Sequence, residues 1–143
     1  MRFVLDTNLL VSGVVFGGTP RRLVDAAREG RYTLCTSETL LAELQRVLGR
    51  EKFAQRLRLA ELSPQGIAND LRRIALVVLP SHTPRVVPTD PSDDHVIAAA
   101  LAAQAQLIAS GDKRDLLSMG SHAGIPIVTA TEALARLDAQ PAP

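Results

Sequence analysis

The sequence predicts an α/β fold built on a central parallel sheet of about five short strands. Two observations predict it. Short runs rich in Val, Ile and Leu alternate with longer stretches of helical periodicity along the whole chain, which is the pattern of βαβ units. At 143 residues, with 46% hydrophobic and 22% charged side chains, the chain has the size and composition of one domain with one core. Residues 1–138 are expected to form that domain, and 139–143, ending in Pro-Ala-Pro, a disordered tail.

Each strand is read from a short apolar run of the kind buried parallel strands show. They are Arg2 to Leu5, Tyr32 to Cys35, Leu76 to Leu79, Gln106 to Ala109 and Pro126 to Val128. The helices between them are read from caps and stripes. Thr19-Pro20 and Ser63-Pro64 each place a hydroxyl before a proline, while Ser37 and Thr131 are expected to cap two more helices. After Ser37, Leu40, Leu41, Leu44, Val47 and Leu48 recur at the spacing of one buried face, with Glu43 at its edge. A later helix is expected to begin at Asp93 or Asp94 and to bury Val96, Ile97, Ala100 and Leu101, with flanking alanines that permit close packing.

Aromatic residues are only 3% of the chain, without Trp and with Tyr32 as the single Tyr. A nucleic acid would therefore be held by charge rather than by stacking platforms. The net charge of +1 decides nothing, but fourteen of the sixteen basic residues are Arg, and many lie between Arg46 and Arg73. That stretch reads either as a solvated helical surface or as a phosphate-facing one. Cys35 is alone, which excludes an intrachain disulfide and a cysteine metal site. The N-terminal apolar run stops at Asp6, too early for a signal peptide, and no run is long enough to span a bilayer. A cytoplasmic protein without membrane contact is the expectation.

The acids carry the functional information. In open parallel sheets, ligands bind outside the carboxyl ends of the strands. Asp6 ends the first strand, and Asp112 follows the fourth by way of Ser110-Gly111. Asp94 opens a helix, and Glu43 lies in the second turn of another. Taken singly, each has a local explanation: Asp6-Thr7-Asn8 as a turn with a helix cap, Asp93-Asp94 as capping acids, Glu43 as a surface residue, Gly111-Asp112 as a turn. Taken together, converging carboxylates would raise one another's pKa unless a cation stood between them. Mg²⁺ or Mn²⁺ suits such oxygen ligands and supports phosphodiester hydrolysis.

Four stretches in this order resemble the PIN domain family, in particular the bacterial toxin-antitoxin nucleases called VapC-like. They are Val4-Leu5-Asp6-Thr7-Asn8, Leu41-Ala42-Glu43-Leu44, Asp94-His95-Val96-Ile97-Ala98-Ala99 and Ser110-Gly111-Asp112. The resemblance implies a three-layer α/β/α arrangement and a metal-binding catalytic cluster of Asp6, Glu43, Asp94 and Asp112, with Thr7, Asn8 and Ser110 orienting ligands or a phosphate. It further implies a single-strand endoribonuclease using Mg²⁺ or Mn²⁺, working as a homodimer and silenced by a cognate antitoxin. One departure concerns Asp115: relatives read Gly-Asp-Lys-Asp, whereas Arg114 intervenes here, so Asp115 is at most auxiliary. Asp93 competes with Asp94, which is preferred because it directly precedes the matching Val96-Ile97-Ala98 run.

Other phosphate chemistries fit less well. A receiver domain would want an acid ending the central strand, where Ala75 to Pro80 offers none, and a haloacid-dehalogenase-like phosphatase would want Asp where Asn8 stands. A Walker-type loop is absent. His82, His95 and His122 show no mutual spacing of a site. A non-catalytic RNA- or protein-binding module, its acids merely capping helices, remains the alternative.

Overall fold

A computed structural model describes residues 1–85, 91–112 and 116–140, the side chains of Pro91 and Ser92 excepted. Among the described residues six strands form one sheet in the order β3-β2-β1-β4-β6-β5. These are β1 (Arg2–Leu5), β2 (Thr33–Ser37), β3 (Leu76–Val78), β4 (Leu107–Ala109), β5 (Ser121–His122) and β6 (Ile125–Val128). The five expected strands are all present and parallel, with Val4 beside Cys35 on one side and Ile108 on the other. The sixth, β5, was not expected. It pairs antiparallel with β6 across Ala123-Gly124, whose φ angles of 50° and 81° make the left-handed two-residue turn that joins a tight hairpin.

Helices cover both faces, giving three layers. Phe3, Leu5, Leu34, Leu107, Ala109 and Val128 point to one side. There they meet α1 (Thr7–Val15), α2 (Gly18–Arg28), α3 (Glu38–Leu48) and α8 (Ala130–Asp138), with α4 (Glu51–Leu59) and α5 (Pro64–Ile74) packed outside α1 and α3. Val4, Cys35, Ile108 and Ile127 point to the other side, under α6 (Pro91–Ala103) and the short α7 (Leu116–Met119). The small faces of Ala99, Ala100 and Ala103 bring α6 down onto the sheet. Leu101, expected inside, is 37% exposed, because the helix turns its alanines rather than its leucine to the strands.

Ser37 and Ser63 cap α3 and α5 as expected, accepting from the Leu40 and Gly66 amides, with Pro64 in the first turn. Two other caps stand elsewhere. Gly17, at φ 89°, occupies the N-cap of α2, which puts Thr19 and Pro20 inside the first turn, where a proline still costs no intrahelical hydrogen bond. Thr129, rather than Thr131, caps α8, through the Glu132 amide. Likewise α6 starts at Pro91, two residues before Asp93. Among the described residues no helix is long and apolar enough to cross a membrane.

Candidate active site

The chain runs from β1 to β2 and β3 on one side, then returns to place β4 and β6 on the other. The carboxyl ends of β1 and β4 therefore flank the point where strand order reverses, the usual position of a ligand crevice in such sheets. Asp6 lies there, one residue past β1, and its amide continues the ladder by donating to the Ala109 carbonyl (3.0 Å).

The Asp6 carboxylate is only 3% exposed and is fully engaged. Oδ1 caps α1 by accepting from the Leu9 amide (2.8 Å). Oδ2 accepts from the Ser110 hydroxyl and from the Gly111 amide (3.3 Å). The same Ser110 hydroxyl accepts from the Asp112 amide (2.9 Å), which fixes the turn after β4. Burial pushes the Asp6 pKa above its ordinary value, against the pull of its Ser110, Leu9 and Gly111 hydrogen bonds, and the charge of nearby Asp112 adds to the rise. A buried carboxylate raised in this way is one that a cation would stabilise.

Asp6, Thr7 and Asn8 form one wall of a cleft of about 270 Å³; Glu43, Arg46, Val47 and Arg50 form the second, and Asp93 and Val96 the third. The Thr7 hydroxyl donates to Glu43 Oε2 (3.2 Å), tying α1 to α3. Glu43 also faces Arg46 at 3.7 Å. On α5, Arg72 grips Glu38 at the start of α3 through two bonds of 2.8 and 2.9 Å, so the helix carrying Glu43 is held at its base as well as by its leucine face.

Of the residues expected from sequence, Asp6, Glu43, Thr7 and Asn8 line one cleft, and Ser110 and Asp112 stand directly behind Asp6. Asp94 is 2% exposed and does not line the cleft; its neighbour Asp93 does. Asp93 precedes Val96 by three residues, so both occupy one face of α6, but Asp94 stands in the same relation to Ile97, and spacing alone does not separate the two acids. Arg46, Val47, Arg50 and Val96 are the other lining residues not assigned to the site from sequence. Asp115 lies outside the described residues.

Among the described residues no three acidic, histidine or cysteine side chains stand close enough to hold a metal ion between them. The donor set nevertheless fits a hard cation of the Mg²⁺ type, which takes one or two carboxylates and completes its shell with waters and substrate phosphates rather than a closed protein cage. Asp6 with Asp93 or Glu43 could supply those carboxylates.

No curated protein matches the chain. Residues 2–114 match the family model described as PIN domain, a span that contains Asp6, Glu43, Asp93, Asp94 and Asp112. PIN domains are generally nucleases and typically use divalent metals. With most of its length matched, and with its acids at the switch point of a mostly parallel three-layer sheet, the chain belongs to the PIN domain family.

Proposed function

We propose that the chain is a Mg²⁺- or Mn²⁺-dependent endoribonuclease acting on single-stranded RNA. The observation that carries the reading is Asp6: a buried carboxylate of raised pKa at the end of the central strand, in a cleft shared with Glu43, Asp93 and two arginines. A bound divalent ion would supply an acidified water and offset charge on the phosphate. Asp6 and Asp93 would hold that ion, with Asp94 and Asp112 adding negative potential beside them. Glu43, which accepts from the Thr7 hydroxyl, would accept a proton from the attacking water, and Arg46 and Arg50 would neutralise phosphates of the bound strand. The water oxygen bonds to phosphorus, the bond to the 3′ oxygen breaks, and that oxygen leaves as a hydroxyl with a 5′ phosphate on the other product.

A toxin role, with a homodimer and a silencing antitoxin in the cytoplasm, is the finer form of this proposal. It is supported by the resemblance of the residues from 90 to 94 and of Gly111-Asp112-Lys113 to the VapC-like branch. Co-expression with the protein encoded beside it should restore growth if the chain arrests it.

The deciding experiment is cleavage of a mixed single-stranded RNA pool by wild type and Asp6→Asn, with Mn²⁺, with Mg²⁺ and with chelator. Metal-dependent cutting that falls at least about a hundredfold in the variant is expected. Equal activity in both proteins would reveal a contaminant, and none in either would favour the binding module.

A further inference from the structure

Three hollows meet on the exposed side of α3. The first is the carboxylate cleft, which Arg46 and Arg50 border. The second, of about 570 Å³, is walled by Ala42, Gln45, Arg46, Gly49 and Arg50. The third lies between Thr39, Ala42, Glu43, Arg46 and His95. Arg46 stands on the border of all three, so whatever occupies the cleft and extends out of it passes this side chain.

Several arginines elsewhere are neutralised. Arg28, Arg31, Arg72 and Arg136 hold carboxylates at 2.7–3.1 Å. Arg46 approaches Glu43 only at 3.7 Å with 63% of its side chain exposed, beyond hydrogen-bond range, and Arg50 makes no ion pair among the described residues. Arg46 near the end of α3 and Arg50 at the N-cap of α4 both border the carboxylate cleft, and two guanidinium forks there suit phosphates of a single strand. Ala42, Gln45 and Gly49 repeat at the spacing of one helix face and leave room between those forks.

Resting on the ribonuclease reading above, we propose that the hollow beside the cleft is a nucleotide subsite that sets how the RNA strand lies. Arg46 holds the phosphate next to the scissile one and Arg50 the following phosphate. The intervening base occupies the hollow, where Gln45 offers an amide donor and acceptor to its edge.

Gly49 provides a steric test that leaves both charges in place. A Cβ there would meet only the Arg46 and Gln45 carbonyl oxygens, at 3.4 and 3.5 Å, and its φ of −75° suits any residue. Gly49→Leu therefore fills the hollow without straining the backbone.

Binding of a labelled single-stranded RNA pool is measured in chelator over a salt series, alongside KM and kcat for Mn²⁺-dependent cleavage. Arg46→Gln and Arg50→Gln should each weaken binding about tenfold and flatten the slope of log affinity on log salt by about 0.7. Gly49→Leu should weaken binding with the slope unchanged. In all three the loss falls on KM more than on kcat, whereas Arg22→Gln, on α2 outside the cleft, should match wild type in affinity and slope. Wild-type affinity and slope in the Arg46, Arg50 and Gly49 variants, with melting temperature unchanged, would overturn the subsite. Cutting by wild type in that case keeps the nuclease reading, and binding with the expected slopes but no cutting keeps the subsite and removes that reading. A wild type that neither binds nor cuts removes both.

Discussion

One carboxylate, Asp6, does two jobs that sequence reading presents as alternatives: it caps α1 and it faces the cleft. Its pH linkage follows from the direction of its shift. Because the folded pKa lies above the unfolded value, chiefly through burial, the stability from holding the proton is fully present below the unfolded pKa, and is lost as pH rises through the folded one. Once that proton is lost, the metal-free protein carries a buried charge held by hydrogen bonds alone. Asp6→Asn keeps an acceptor for the Leu9 amide and removes that charge, so without metal it should melt at or above wild type at pH 7, with the difference shrinking toward pH 4. Thermal melts across that range check it; a variant that fails to fold at any pH would make Asp6 chiefly a structural cap. Asp6 was legible because a strand end marks it. The choice between Asp93 and Asp94 was not, since two adjacent acids on a helix point about 100° apart and only the packing of Val96 and Ile97 onto the sheet decides which one meets the cleft.

At the scale of elements, the site depends on α1 and α3 arriving at fixed angles from β1 and β2. Gly13 shows how tightly α1 is set. Mid-helix glycine normally weakens a helix relative to alanine, yet a Cβ here would stand 3.0 Å from the Pro20 carbonyl oxygen, 3.1 Å from its carbon and 3.2 Å from Val24 Cγ2. Gly13→Ala should therefore destabilise the protein by about 1–3 kcal/mol as α2 is pushed away, despite its better helix propensity. Urea denaturation measures this, and a stabilised variant would mean that α1 and α2 have slack between them. The five parallel strands were readable because strands buried on both faces become runs of Val, Ile and Leu. The hairpin strand β5 was not, for Ser121 and His122 are two residues without an apolar pattern, and Ala123-Gly124 lacks the Asn or Asp that advertises such a turn. Helix starts were legible at Ser37 and Ser63 but not at Thr19, where Gly17 takes the cap position. Thr129 and Thr131 both precede helical periodicity, and the backbone alone selects the first.

Across the whole molecule, the reversal of strand order brings together residues distant in sequence: Asp6 from the first strand, Glu43 from the third helix, Asp93 from the sixth and Ser110 with Asp112 after β4. That convergence concentrates negative charge at one end of the sheet while the net charge of the chain is only +1. A cation that binds there binds the folded state alone, since the unfolded chain scatters the same acids, and binding must then raise stability. At a hundredfold excess over its dissociation constant the gain is about 2.7 kcal/mol. For a domain of this size that corresponds to a rise of roughly 5–10 °C in Tm. Wild type should show this rise with Mn²⁺ or Mg²⁺ and lose it on chelation, and Asp6→Asn should show much less of it. K⁺ at matched ionic strength should do little, because screening between groups this buried is weak. A Tm indifferent to divalent ions in both proteins would mean that hydrogen bonds and helix termini already satisfy these acids, and the chain would then bind its partners through Arg46 and Arg50 without cutting them.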